Sequence, residues 1–423
     1  MTLKSSSVAP LGRFLGVVAG LIVLASCGGS SSTPITPTPP PPSANNVLTV
    51  DINMGLTSDY VDGIFTSVEV CAPGSTTNCA TVPDVLVDTG SSGLRLLSSA
   101  LGSLSLPSIT ASGNDVQECL QFVSLAYIWG PVAQADIHLS GETASSASIQ
   151  IISESPAYPV PSNCLTLGSS GAVDFNSVSA LGANGILGVG NLAQDCGSGC
   201  ADASNGIPQY YVCPSGNCQI ASVPTNATSG QIWNPVALLS QDNNGVLISL
   251  PTVPAGGQAT ASGSLIFGIG TQSNNALGSA QIYATTPDEY FTTTYNGTQY
   301  TNSFIDSGSN AFYFLDSTSL GNIDCTGSNA GFYCPASTQN FMVTNTGANG
   351  TTGQLTFSIA NADSLFSTGN AAFSNLGGDS GTGPSSDFFD FGVPFFFGRN
   401  VFVGIAGTTV PNGASAPNGY WAY

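Results

Sequence analysis

The sequence predicts an all-β protein built from two related lobes that face each other across a cleft. Three observations carry this. Glycine is abundant at 51 residues while charged residues make up only 7%, a composition of strands and turns with few stretches of helical period. An apolar run, Val85-Leu86-Val87, ends in Asp88-Thr89-Gly90-Ser91, and the same signal returns after "SFI" as Asp306-Ser307-Gly308-Ser309. Each copy is followed by a second apolar run that carries a glycine, Gly188 in "NGILGVG" and Gly398 in "VPFFFGRN", a mark of close passage by another backbone. At 423 residues the chain is long enough for two cores, assigned to lobes at residues 47–262 and 263–423.

In chain order, residues 1–27 are not part of the fold. Lys4 and Arg13 precede an apolar run over residues 14–25 that is too short to span a bilayer as a mature helix. The run ends in "LASC", which resembles a bacterial lipobox, and the resemblance implies a lipid on Cys27 as the first mature residue. Residues 28–46, rich in glycine, serine and proline, read as a tether, flexible at first and then semi-rigid. The expected location is the bacterial cell envelope, at the outer membrane, with the lipid as the only membrane contact. Cys27→Ser should therefore move the protein from the membrane to the soluble fraction, and a wild type that already fractionates as soluble would refute the lipobox.

Beyond the leader only Arg95 and Arg399 are basic, against 24 acids. Nucleic acid and anionic membrane surfaces are repelled by such a chain and are excluded as partners. The same balance favours acid tolerance. Crowded carboxyls carry raised folded-state pKa values, and the stability they contribute at low pH is lost as pH rises through those values.

Of the 11 cysteines, Cys27 belongs to the leader, and the rest form an even set in an exported chain. Five disulfides are expected. Cys71/Cys79, Cys196/Cys200, Cys213/Cys218 and Cys325/Cys334 could each close a short loop, which leaves Cys119 with Cys164, although the sequence alone does not fix the pairing. The alternative, a zinc cluster on Cys196, Cys200, Cys213 and Cys218, ranks below disulfides outside the cytoplasm. No metal or cofactor is expected.

The inventory excludes several chemistries. The mature chain has one histidine, His138, and no lysine, so a Ser-Lys dyad, a P-loop and a multi-histidine zinc hydrolase are all out. "GGDSGTGP", residues 377–384, superficially resembles a chymotrypsin-like nucleophile segment around Ser380, but that chemistry needs a histidine beside the serine. His138 sits in a strand-like surface pattern, "QADIHLSGE", and reads as a surface residue.

What remains is carboxylates beside hydroxyls. The duplicated order of apolar strand, Asp-Thr/Ser-Gly-Ser turn and later apolar-glycine element resembles the pepsin-like aspartic proteases, from about residue 50 to about 410. "NPVALLSQDNNGVLISLP" and "GSLIFGIG", within residues 234–270, are similar to the helix, connecting strand and inter-lobe sheet that follow the first lobe there. The cysteine-rich first half and "DNNGVLISLP" further resemble an uncharacterised family of bacterial envelope lipoproteins. The protease resemblance implies that Asp88 and Asp306 form a proton-sharing dyad acting on a water and a peptide bond. It implies that Thr89 and Ser307 bond across the interface, that Ser91 and Ser309 donate to the outer carboxylate oxygens, and that Gly90 and Gly308 permit close approach.

Some positions depart from that pattern. Arg95 stands where an aromatic supports the flap, and Asn310 where a hydroxyl residue is usual. The flap is expected within residues 122–142, with Tyr127 or Trp129 as its aromatic, Trp129 preferred because Gly130 follows it. Two functions fit the sequence: a monomeric, envelope-anchored aspartic endopeptidase with a polypeptide substrate, and a non-cleaving lipoprotein of the same fold that binds peptide or glycan.

Overall fold

The computed structural model describes residues 44–423 except 123, 125, 166–171, 227–229, 317, 322 and 381–387. The predicted leader, Cys27 and residues 28–43 of the tether lie outside the described residues. Residues 44–46 do not behave as tether: Asn46 is buried, and its amide donates to the Phe267 carbonyl at 2.9 Å.

The fold is all-β, as composition predicts. Its helical segments are single turns. The one expected after the first half is a 3-10 turn, Pro235–Leu238, capped by the Asn234 side chain and started by a proline. One sheet draws on the start, middle and end of the chain. Val47–Asn53 pairs with Ala261–Phe267, which pairs with Gly245–Ser249, then Asn400–Gly404, Tyr420–Ala422 and Ile282–Ala284, all antiparallel. The boundary expected at 262/263 therefore falls inside a strand of this sheet.

Each half also holds a strand unit of the same construction. In the first, Cys79–Asp88 and Ser92–Leu97 are consecutive, yet Gly185–Val189 lies between them, parallel to one and antiparallel to the other. In the second, Phe389–Phe391 lies in the same way between Thr298–Ile305 and Phe312–Phe314. Side-chain parity then sorts the residues. Val85, Val87, Leu187, Ile305, Phe312 and Phe391 enter one large core shared by both halves. Leu86 and Ile186 point to the other face, the face of Asp88, and pack in a separate apolar cluster.

Four disulfides pair the cysteines that short loops suggested, Cys119 bonds Cys164 as the remaining pair, and the zinc alternative falls because Cys196–Cys200 and Cys213–Cys218 are bonded. Among the described residues no helix is long and apolar enough to cross a membrane.

Where a hairpin tip meets the linking segment, the carboxyl of Glu142 lies against that of Asp242, which also accepts from Thr271 and Gln272. Burial first, then Asp242, pushes Glu142 up to about 7. A carboxyl raised in the folded state stabilises below its unfolded pKa, and that contribution disappears as pH rises through the folded value. Asp62, raised well above the usual range by burial, has the same sign. Asp202 and Asp316, lowered by hydrogen bonds from Ser204 and Thr318, have the opposite sign: they stabilise above the ordinary carboxylate pKa and lose that contribution only in more acidic solution, as pH falls through their lowered values. Thermal unfolding should therefore occur at higher temperature at pH 5 than at pH 8. Glu142→Gln should flatten that difference, since the amide fills the same space without a charge to bury.

Candidate active site

The two Asp-Thr/Ser-Gly-Ser turns meet. Thr89 N–H donates to Ser307 Oγ at 3.1 Å, and Ser307 N–H donates to Thr89 Oγ1 at 2.9 Å. Each hydroxyl then donates onward to a carbonyl of the opposite strand, Thr89 to Ile305 at 3.2 Å and Ser307 to Val87 at 2.8 Å. Four buried hydrogen bonds thus lock the turns in a reciprocal pattern, each half doing to the other what is done to it. Such a satisfied buried network is rigid, because breaking any member leaves a polar group without a partner.

The carboxyls are held alike at their inner oxygens. Gly90 N–H donates to Asp88 Oδ1 and Gly308 N–H to Asp306 Oδ1, both at 2.8 Å. Gly90 is also pressed on Asp306: a Cβ there would lie 2.4 Å from Asp306 Oδ2. Only glycine fits between the two acids. Both aspartates are closed from solvent, at 1% and 0% exposure.

The outer oxygens differ. Ser91 Oγ donates to Asp88 Oδ2 at 2.5 Å, as expected, but Ser309 Oγ donates to Asp390 Oδ2 in a short contact. Asp390 lies on Phe389–Phe391, beside Phe304, and so stands on the Asp306 face where the first half has Ile186. The sequence reading missed this third buried carboxyl because Asp390 interrupts the apolar run.

The same register corrects the threading glycine of the second half. Gly188 lies opposite Asp88 and Gly93; one step past the Phe304↔Asp390 and Ile305↔Phe391 pairs, Gly392 lies opposite Asp306. A Cβ on Gly392 would come within 2.2 Å of the Ala311 carbonyl oxygen. Gly398 instead turns the chain at φ 72°, bonding to Leu250 and Pro251 carbonyls.

Tyr127 and Trp129, expected at the site, lie on the face away from Asp88, for a reason of parity. Tyr127 and Trp129 share one face of strand Ala126–Leu139 and pack with Cys119, Cys164 and Tyr211, Trp129 edge-on to Tyr211 at 5.5 Å. Ala126 and Ile128, on the opposite face, join Leu86 and Ile186 beside Asp88. The aromatic that the hairpin brings to that cluster is Phe122, tilted against Phe175. Burial, then Asp174, pushes Tyr127 up to about 12. Gly130 has a packing role, since a Cβ there would lie 1.9 Å from the Ile151 carbonyl oxygen.

Arg95 is fully buried, not at a substrate-facing edge. Its guanidinium bonds Glu118 at 2.7 Å, Asp195 at 3.0 Å and the Ser92 carbonyl at 2.8 Å. Burial alone would lower its pKa, but Glu118 and Asp195 outweigh that and hold it above the ordinary value. Burial and Glu118 push Asp195 well above the usual carboxylate range. Tyr210 and Gln209 complete the cluster by donating to Asp195. Asn310 accepts from the Tyr313 hydroxyl at 2.7 Å. Ser380 donates to the Leu315 carbonyl, and half-buried His138 bonds Thr143, so neither belongs to a triad.

Comparison with known families matches residues 42–423 to the model described as protein of unknown function, DUF3443. The chain belongs to the DUF3443 family. No curated protein matches it. The match spans both turns, the Arg95 cluster and every described cysteine, so these features sit inside the DUF3443 unit.

Proposed function

We propose that this chain is an aspartic endopeptidase of bilobal, pepsin-like build, with Asp88 and Asp306 as its proton-sharing pair. The reciprocal bonds between Thr89 and Ser307 carry this reading, because they press two acid-bearing turns together at the joint between the halves. Two carboxyls about 3 Å apart cannot both ionise cheaply, so one proton is shared and the pair titrates as a unit. The ionised member takes a proton from a water as that water attacks the peptide carbonyl. The protonated member donates to the carbonyl oxygen and stabilises its developing charge. When the C–N bond breaks, the leaving nitrogen takes a proton, and the pair again holds one. In this reading the two halves are lobes joined through the sheet that holds Ala261–Phe267, the substrate is a polypeptide, no cofactor takes part, and Cys27 anchors a monomer at the envelope.

The test is peptide release from denatured casein across pH 3–7, a range that brackets the carboxyl pKa values. Acid-favoured, bell-shaped activity, blocked by a statine peptide that places a hydroxyl between the aspartates, is expected. A second reading, a non-cleaving binder of peptide or glycan, is favoured by the closure of Asp88 and Asp306 from solvent. A wild type that cleaves nothing at any pH yet binds peptide or glycan would transfer the assignment to it.

A further inference from the structure

We propose that Tyr60 is a ligand-contacting residue of this site, its hydroxyl kept to donate to a backbone oxygen of a peptide held beside Asp88. The proposal rests on the peptidase reading and adds a third protic group to the two aspartates.

Residues 54–62 run along the joint between the halves. Leu56 N–H donates to the Gly182 carbonyl in the first half, while Asp62 N–H donates to the Ala371 carbonyl and Asp62 Oδ1 accepts from Phe373 N–H in the second. The neighbours Tyr60 and Val61 part in opposite directions. Tyr60 enters the cluster of Leu86 and Ile186, and Val61 packs with Ala311, Tyr313 and Phe373. Leu86 precedes Asp88 by two residues on one strand, so both side chains stand on the same face. Ile186 likewise precedes Gly188, which lies opposite Asp88. The ring of Tyr60 therefore belongs to the apolar cluster on the Asp88 face, within electrostatic reach of both aspartates. After burial, the charges of Asp88 and Asp306 are what raise the cost of ionising its phenol, which accordingly stays a donor.

The ring is well held, edge-on to Phe65 at 5.5 Å and against Gly63 and Gly182, either of which would collide with it if given a Cβ, while one on Gly55 would meet the Tyr60 Cβ. The hydroxyl is not. Tyr60 is 4% exposed, and its oxygen is buried with no hydrogen-bond partner among the described residues. A buried hydroxyl left without a partner costs about 1–3 kcal/mol. A fold has no structural reason to keep it where phenylalanine would pack as well. Asp88, Asp306 and this oxygen are all buried, and in the proposal a ligand that parts the site meets the three groups together.

Tyr60→Phe removes the oxygen and keeps the ring. Calorimetric binding of a statine hexapeptide and thermal unfolding of wild type, Tyr60→Phe and Asp88→Asn test the idea. The expected result is an unchanged or raised unfolding temperature with a Kd weakened about 3- to 10-fold, the size of one hydrogen bond. A lowered unfolding temperature would show that the hydroxyl has a structural partner and overturn the proposal. A Kd within twofold of wild type, while Asp88→Asn abolishes binding, would overturn it and leave the dyad standing. If wild type itself does not bind, the dyad reading falls, and the role of Tyr60 falls with it.

Discussion

Replacing Arg95 with alanine should cost the native state about 3–5 kcal/mol, the range for removing one partner of a fully buried ion pair. Arg95 is 0% exposed and is the cation that Glu118 and Asp195 share. Without it, two buried acids would be left with Gln209, which donates to both, and Tyr210, which donates to Asp195, and neither carries a charge. The loss should reach the site as well. Arg95 holds the Ser92 carbonyl, and the neighbouring Ser91 is the donor to Asp88 Oδ2. Denaturant unfolding of the two proteins, compared at equal slope, measures the cost. A difference below about 1 kcal/mol would mean that the acids neutralise themselves by taking up protons, and that Arg95 fills space more than it balances charge. Replacing all three charged residues with apolar ones of similar volume should recover most of the loss, because no unpaired charge then remains.

Asp88→Asn and Asp306→Asn should each lower casein hydrolysis by about 10²–10⁴-fold, the contribution of a positioned acid or base, with unfolding nearly unchanged. Stability should survive because an amide oxygen can still accept from Gly90 or Gly308 N–H, as the carboxyl does now. In Asp88→Asn, Ser91 can rotate its hydroxyl to accept from the amide group that the substitution introduces. The double variant should be little worse than either single one, since the two acids act as a unit. Activity that persists in either variant would remove the dyad from the mechanism, whatever the geometry of the turns.

The turns themselves were legible in the sequence because an apolar strand that ends in Asp-Thr/Ser-Gly-Ser is a local signal, and its recurrence at 306 fixed their partnership. The disulfides were legible for a similar reason: four of the five close loops of at most nine residues. Positions defined by distant partners were not legible. Arg95, between Leu94 and Leu96, gives no hint that Glu118 and Asp195 wait for it inside, and a charge is ordinarily read as exposed. Tyr127 and Trp129 looked right by residue type, but the face they occupy depends on the pairing of Asn114–Gln121 with Ala126–Leu139. "FDFG" concealed the second threading glycine because Asp390 broke the apolar pattern that marks such an element. Tyr60, in "SDYVDG", lies in no periodic segment at all.

The sheet that joins Val47–Asn53 to Ala261–Phe267 and, three strands further on, to Tyr420–Ala422 sets a schedule. Asp88 emerges early during synthesis, but the groups that lock its turn lie 218 residues downstream, and the strands that close the sheet are among the last made. Half-made chains therefore cannot hold the two acids together, and loop closure over such a span makes their meeting a late event. A chain that loses Tyr420–Ala422 should have every site residue and still no assembled site. The protein is in this sense its own timer: whatever chemistry the acids perform waits until Tyr420–Ala422 has been delivered and the shared sheet has closed.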